Sequence, residues 1–260
     1  MVRRLIDLPP RSSSVKRVTV GGILSEAWHL YTKFFSRFFV VAAIVYLIVN
    51  LLNAIVAAVF GSSVGVAVLL AVVSVVVSIV GTFWLQGALV YAVEDVHDGK
   101  VDSTVRELFE RVQPYLGTLI VAGLLAGLGI AIGLILVIVP GLVLLTWWCL
   151  IVPVIVLEGK PVGEAFSRSR ELVRGHGWTV FGIVVVTAIL TGIASGIIQA
   201  LFSFLGDFLR SWLGGAIASS IVGPFFAVAL TLTYFKLREL ERGSAPAGMP
   251  APDAPAPNVP

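Results

Sequence analysis

Cysteine is almost missing from this sequence. Its one thiol, Cys149, lies in an apolar run, so a single chain offers neither a disulfide framework nor a thiolate metal cluster. Charge is scarce as well: Asp, Glu, Lys and Arg make up 13% of the 260 residues, where soluble domains carry about 25%. That scarcity excludes an ordinary soluble domain. The first residues, MVRRLIDLPPRSSS, hold no apolar core of the roughly 7–15 residues a signal peptide needs. The first hydrophobic run is therefore expected to stay in the protein. Patterns such as GxSxG, a P-loop or GxGxxG in a strand–helix setting are missing too, which leaves catalysis on a soluble substrate without support.

Hydrophobic residues fill the space instead, at 58% of the chain. Mean hydropathy is +1.00. They fall in long stretches without a single Asp, Glu, Lys, Arg or His, and a membrane helix needs about 20 mostly apolar residues. The stretch 115–157 is too long for one crossing. It divides at Val139-Pro140-Gly141, because proline with glycine marks a turn. Six spans result, at about 38–60, 64–93, 115–137, 139–157, 178–204 and 212–235. Each Leu, Ile, Phe or Val favours the helix centre by about 0.3–0.6 kcal/mol, whereas one Arg, Lys or Asp costs about 2.5–3.5. Uncharged spans rich in aliphatics insert easily. A soluble bundle would have to bury every face of such helices.

Basic residues set the orientation. Of the 18 Lys and Arg, only Arg210 falls in a connection after the first, third or fifth span. The others precede span 1, follow span 6, or lie between spans 2 and 3 and spans 4 and 5. The positive-inside rule makes their side cytoplasmic, with both termini there. The chain divides into a basic segment, 1–18, a membrane domain, 19–241, and a Pro/Ala-rich tail, 242–260, whose composition predicts disorder.

Each hairpin is preceded by a stretch with helical spacing of apolar residues. Ile23, Leu24, Ala27, Tyr31, Phe34, Phe35 and Phe38 form the first stripe, with Glu26, His29 and Lys33 opposite. Val101, Val105, Leu108, Phe109 and Val112 form the second, with Asp102 or Ser103 as N-cap and Glu107 placed to pair with Arg111. In the third, Pro161 suits the first turn, and Val162, Ala165, Phe166, Ser169, Leu172 and Val173 make the stripe. Glu164 and Arg168 stand at the favoured i, i+4 spacing there, and Gly175 or Gly177 can end the helix. The expected fold is all-α and integral to the membrane. Six transmembrane helices form three hairpins, each preceded by a cytoplasmic amphipathic helix in the interface. Lys160, Arg168, Arg170 and Arg174 are then membrane-surface residues beside anionic lipid headgroups.

Polar groups inside the spans are few. Asn50, Asn53 and Gln86 form a candidate intramembrane polar cluster, joined by Ser74, Ser78, Thr82, Ser195 and Gln199 as helix–helix hydrogen-bonding groups. Gly123/Gly127, Gly129/Gly133 and Gly192/Gly196 are GxxxG pairs that let helices approach, and Pro153 and Pro224 should kink spans 4 and 6. The run EDVHDGKVD from Glu94 offers Glu94, Asp95, His97 and Asp98 as ligand types but meets no metal spacing, and reads as a solvated loop. No cofactor, metal or nucleic-acid partner is expected.

Three stretches carry a family resemblance: RVTVGGILSEAWHLYTKFFSRFFV from Arg17, VPGLVLLTWWCLIVPVIVLEGKPVGEAFSRSRELVRGHGW from Val139, and PFFAVALTLTYFKLRE from Pro224. Across about 17–241 the chain resembles the glycerophosphoryl diester phosphodiesterase membrane-domain family of bacterial, often actinobacterial, membrane proteins. The resemblance implies a fold and a place in the plasma membrane. It does not bring the phosphodiesterase activity, because a proline-rich tail stands where a catalytic domain follows in the members that give the family its name. The expected function is a non-enzymatic scaffold, accessory or regulatory membrane module. A small-molecule or lipid transporter is the alternative, and a lipid-headgroup enzyme using Glu94, Asp95 and His97 a more distant one.

Overall fold

The computed structural model describes residues 18–59, 64–99 and 103–244. The basic segment up to Arg17, the connection 60–63, Lys100, Val101, Asp102 and the tail from 245 onward lie outside the described residues. Every regular element among the described residues is helical. Helix α1 (Val20–Lys33) leads through a break at Phe34 into α2 (Phe35–Val59), and α3 (Val64–His97) returns. Next, α4 (Val105–Val112) passes through a 3-10 turn into α5 (Leu116–Leu136), with α6 (Ile138–Trp148) and α7 (Ile151–Glu158) coming back. Finally α8 (Val162–Val173) precedes α9 (Gly177–Leu201), and α10 (Asp207–Leu209) and a π turn lead into α11 (Gly215–Ser244).

Six helical stretches are long and apolar enough to cross a membrane: Phe35–Val59, Val68–His97, Val105–Leu136, Ile138–Glu158, Gly177–Leu201 and Asp207–Gly243. Large aliphatic side chains point outward along them, Leu69, Leu128 and Ile193 among them. Lipid, not water, is the solvent for such a surface. The protein is an all-α multi-pass membrane protein built of three hairpins, each preceded by a short helix. Helix α11 is the hub, packing on α2, α9, α1 and α3, while α5, α6, α7 and α8 form a second group joined through α3.

Local chemistry moves several boundaries from their expected places. The turn of the second hairpin falls at Val137, which is extended (φ −153°, ψ 128°), and Pro140 sits in the first turn of α6. Proline is tolerated there because first-turn N–H groups have no helical acceptor. Pro153 does interrupt its span. It cannot donate to the carbonyl of Cys149, and the helix breaks at Cys149–Leu150, between α6 and α7. Pro224, by contrast, lies within an unbroken α11.

The segment from Glu94 is not a solvated loop. Helix α3 continues through it to His97, and Asp95 is buried. Ion pairs described below neutralise its charge, which removes the reason for it to unwind. Helix α4 is capped by Thr104 rather than Asp102 or Ser103. The Thr104 hydroxyl accepts from Glu107 N, and the Glu107 carboxylate accepts from Thr104 N at 2.6 Å. Glu107 is thereby committed to the cap.

The glycine pairs divide. A Cβ on Gly123 would lie 1.9 Å from the Phe83 ring, one on Gly129 2.7 Å from Trp148, and one on Gly133 2.9 Å from Gly141 Cα. Those three glycines let neighbours touch. Gly127, Gly192 and Gly196 face nothing within 4 Å, so the α9 pair holds no helix contact among the described residues.

Candidate functional site

The ends of α3, α7 and α11 and the three short helices meet at one end of the bundle, where nearly all the described charge collects. Each short helix spends its apolar stripe on protein. In α1, Ile23, Ala27 and Tyr31 are buried; the Tyr31 hydroxyl donates to the Ile221 carbonyl, and its ring meets Phe225 edge-on at 5.8 Å. Phe35, expected in the stripe, is exposed. In α4, Leu108 and Val112 are buried, and Trp84 Nε1 donates to the Phe109 carbonyl at 2.9 Å. In α8, Ala165, Ser169, Leu172 and Val173 are buried, and the Ser169 hydroxyl donates to the Trp147 carbonyl at 2.6 Å.

Two ion-pair clusters add to the hold on α4 and α8. In the first, Asp95 accepts from Arg37 Nη2 and Arg111 Nη1, both at 2.9 Å, and Arg111 Nη2 also reaches Glu94 at 2.8 Å. The Arg111 guanidinium lies 3.9 Å over the Tyr91 ring, a cation–π contact. Arg111 is thus drawn away from Glu107 toward α3, where two carboxylates compete better than one already used as a cap. In the second, Arg168 lays its fork on Glu241 with two 2.6 Å bonds, and its Nε donates to Glu158 at 3.0 Å. The Tyr234 hydroxyl donates to the other Glu158 oxygen at 2.9 Å. The hydrogen bonds to Glu241, followed by the nearby Glu158 charge, hold the Arg168 proton more tightly than usual.

The surface residues expected on α8 therefore have different fates. Arg168 has only 15% of its side chain exposed and joins α7, α8 and α11. Glu164, its expected partner, pairs with Lys160 at 3.2 Å instead. Arg170 lies 4.2 Å over the Trp147 ring, and Arg174 is exposed at the C-terminal end of the helix. Glu158, Glu241 and Tyr234 were not legible as site residues. One signal existed: Glu158 is the first charge after an apolar run, as Glu94 is after span 2.

Between α1, α3 and α11 lies a cleft of about 420 Å³, lined by Glu26, Glu94, His97, Asp98, Lys236 and Arg238 among others. His97 stacks on Phe235 with ring centres 4.7 Å apart, and its Nδ1 is 3.6 Å from Asp98. That separation is too long for a hydrogen bond, so the pair makes no acid–base relay here. Glu94 and Asp95 are engaged by arginines. No group of three His, Cys, Asp or Glu among the described residues is placed to hold a metal ion. The cleft mixes both signs of charge and suits binding of a zwitterionic or mixed-charge surface better than of a bare anion.

The intramembrane polar residues are not one cluster. The Ser74 hydroxyl donates to Asn53 Oδ1 at 2.6 Å, tying α2 to α3. Asn50 donates to the Tyr46 carbonyl at 2.9 Å and lies beside Gly215, where a Cβ would stand 2.7 Å from its oxygen. Gln86 is twelve positions beyond Ser74 on α3, about 18 Å along the axis, and lines a half-open cavity. Gln199 donates to Ser195 within α9 at 3.3 Å. Compared with family models, curated proteins and solved structures, the chain matches none.

Proposed function

We propose that the protein is a non-enzymatic module of the bacterial plasma membrane, with both termini in the cytoplasm, that presents its basic end as a rigid platform to a partner protein and to anionic headgroups. One observation carries this reading. Apolar stripes pin α1, α4 and α8 to the bundle, and ion pairs add to the hold on α4 and α8, while Glu26, His29 and Lys33, Arg106 and Glu110, and Arg170 and Arg174 remain exposed. Acidic and basic groups that an enzyme would need free are used as clamps. The gathering of basic residues at one end supports the cytoplasmic orientation. The resemblance to the glycerophosphoryl diester phosphodiesterase membrane-domain family supports the bacterial plasma membrane.

The reading is tested with purified protein in liposomes. Binding to vesicles or partner candidates should depend on the outer faces: Arg170→Ala with Arg174→Ala should weaken association with anionic vesicles, each cation contributing about 1 kcal/mol. Unchanged association in the double variant would remove the headgroup part of the proposal. Hydrolysis of a glycerophosphodiester that is lost in His97→Ala would replace the module reading with an enzyme. Reporter fusions at 61–63 and 207–211 should register outside the cytoplasm; cytosolic signals from both would overturn the orientation.

A further inference from the structure

Among α2, α3, α7, α9 and α11 lies a half-open cavity of about 250 Å³, most of whose lining side chains are half-buried. A water molecule takes about 30 Å³, so the space admits a small molecule and not merely one solvent. Its walls carry Tyr46, Gln86, Cys149, Thr191, Gly223 and Thr231. Tyr46 is near the middle of α2 and Thr191 near the middle of α9, so the cavity stands at the depth where intramembrane ligands are held.

Helix chemistry explains why the space is open and why a mostly apolar wall carries a few polar groups. The helix break before α7 falls on Cys149, and Pro153 withholds the N–H that the Cys149 carbonyl would otherwise accept. Across from it, Gly223 lets Tyr46 lie against α11, since a Cβ there would come within 2.8 Å of the phenol oxygen. Thr191 and Thr231 donate to their own helices, each at 2.8 Å, and so offer only acceptor lone pairs to the cavity. The Gln86 amide and Tyr46 hydroxyl have no hydrogen-bond partner among the described residues. Leaving an amide unpaired in a low-dielectric interior is unfavourable. A group that both donates and accepts would pair with both.

No Asp, Glu, Lys, Arg or His lines this cavity. A charged solute would enter without a counter-ion, which the membrane interior penalises heavily. Leu89 and Phe226 supply apolar wall. We propose that the cavity is a binding site for an uncharged, hydroxyl-bearing group with a short apolar part, read by Gln86 and Tyr46. The source is either a free diol-like solute or the neutral headgroup of a lipid entering from the side. This site is independent of the platform at the charged end.

Cys149, the only thiol in the chain, is a built-in reporter because it lines the cavity. The full-length protein in liposomes is alkylated with N-ethylmaleimide in the presence of 1,2-hexanediol, of bilayer monoolein, or of hexanoate as a charged control. At a probe concentration ten times its Kd, the rate at Cys149 should fall about tenfold by simple occupancy. Gln86→Leu and Tyr46→Phe should each abolish most of that protection, and hexanoate should protect neither. Protection by hexanediol alone assigns a free solute; protection by monoolein alone assigns a lipid. If Cys149 resists alkylation, the same probes are read by thermal unfolding, with a saturable rise in Tm that Gln86→Leu removes. Equal effects in wild type and both variants, or no effect of either uncharged probe in either assay, overturns the proposal.

Discussion

The two ends of the bundle are built on different physics. At the charged end, carboxylates and guanidinium groups from separate hairpins meet within hydrogen-bond distance, with Glu158 4% exposed and Asp95 9% by side chain. At the far end the only ion pair among the described residues is local, Arg210 to Asp207 at 3.2 Å, with both side chains exposed. Contacts there are made by Trp212 donating to the Leu47 carbonyl at 3.2 Å and by Gly214 beside Phe202. Charge that is buried and shared between hairpins fixes their relative positions. Charge that is exposed and local only decorates a turn.

The largest expected effect follows from breaking the buried fork. Arg168→Met leaves Glu158 buried without its cation and should cost about 3–5 kcal/mol, read as a lower thermal unfolding midpoint in detergent. Lysine should not restore it, because the site uses a planar, two-pronged donor. Adding Glu158→Met to Arg168→Met should recover much of the loss, since the penalty lies in the orphaned charge. If the double variant is as unstable as the single one, Glu158 matters through packing instead.

A somewhat smaller loss, about 3 kcal/mol, is expected for Asp95→Asn, which leaves Arg37 and Arg111 facing a neutral amide while Arg111 keeps Glu94. Within the membrane, Gly123→Ala should cost about 1–3 kcal/mol by pushing Phe83 aside. At the bottom of the scale stand Gly196→Ala and Arg210→Ala, each expected within about 0.5 kcal/mol of wild type. A large loss at Gly196 would mean that α9 packs on another molecule through its glycine face, and a large loss at Arg210 would end the contrast between the two ends.

The same contrast bounds how much was legible beforehand. The spans could be read because hydropathy is a sum over residues, and the cost of one charge in lipid outweighs several aliphatics. The stripes of α1, α4 and α8 were legible from spacing, but not that protein would cover them. Local pairings at i, i+4 fared worst. Glu107–Arg111 and Glu164–Arg168 have suitable spacing, yet both arginines reach acidic residues outside their own helices, on α3, α7 and α11. Spacing names the neighbours a residue has on its own helix. It cannot weigh them against partners brought in from 73 positions away, as Glu241 is to Arg168.

By itself, the sequence determined an all-α chain of three apolar hairpins, with charge gathered between them, because each of those properties is additive along the chain. Only the tertiary structure decided which carboxylate neutralises which guanidinium, which glycines touch a neighbour, and that Gln86 stands apart from Asn50 and Asn53 beside a cavity. Those outcomes depend on how helices from distant segments pack, which is not a property of any single stretch.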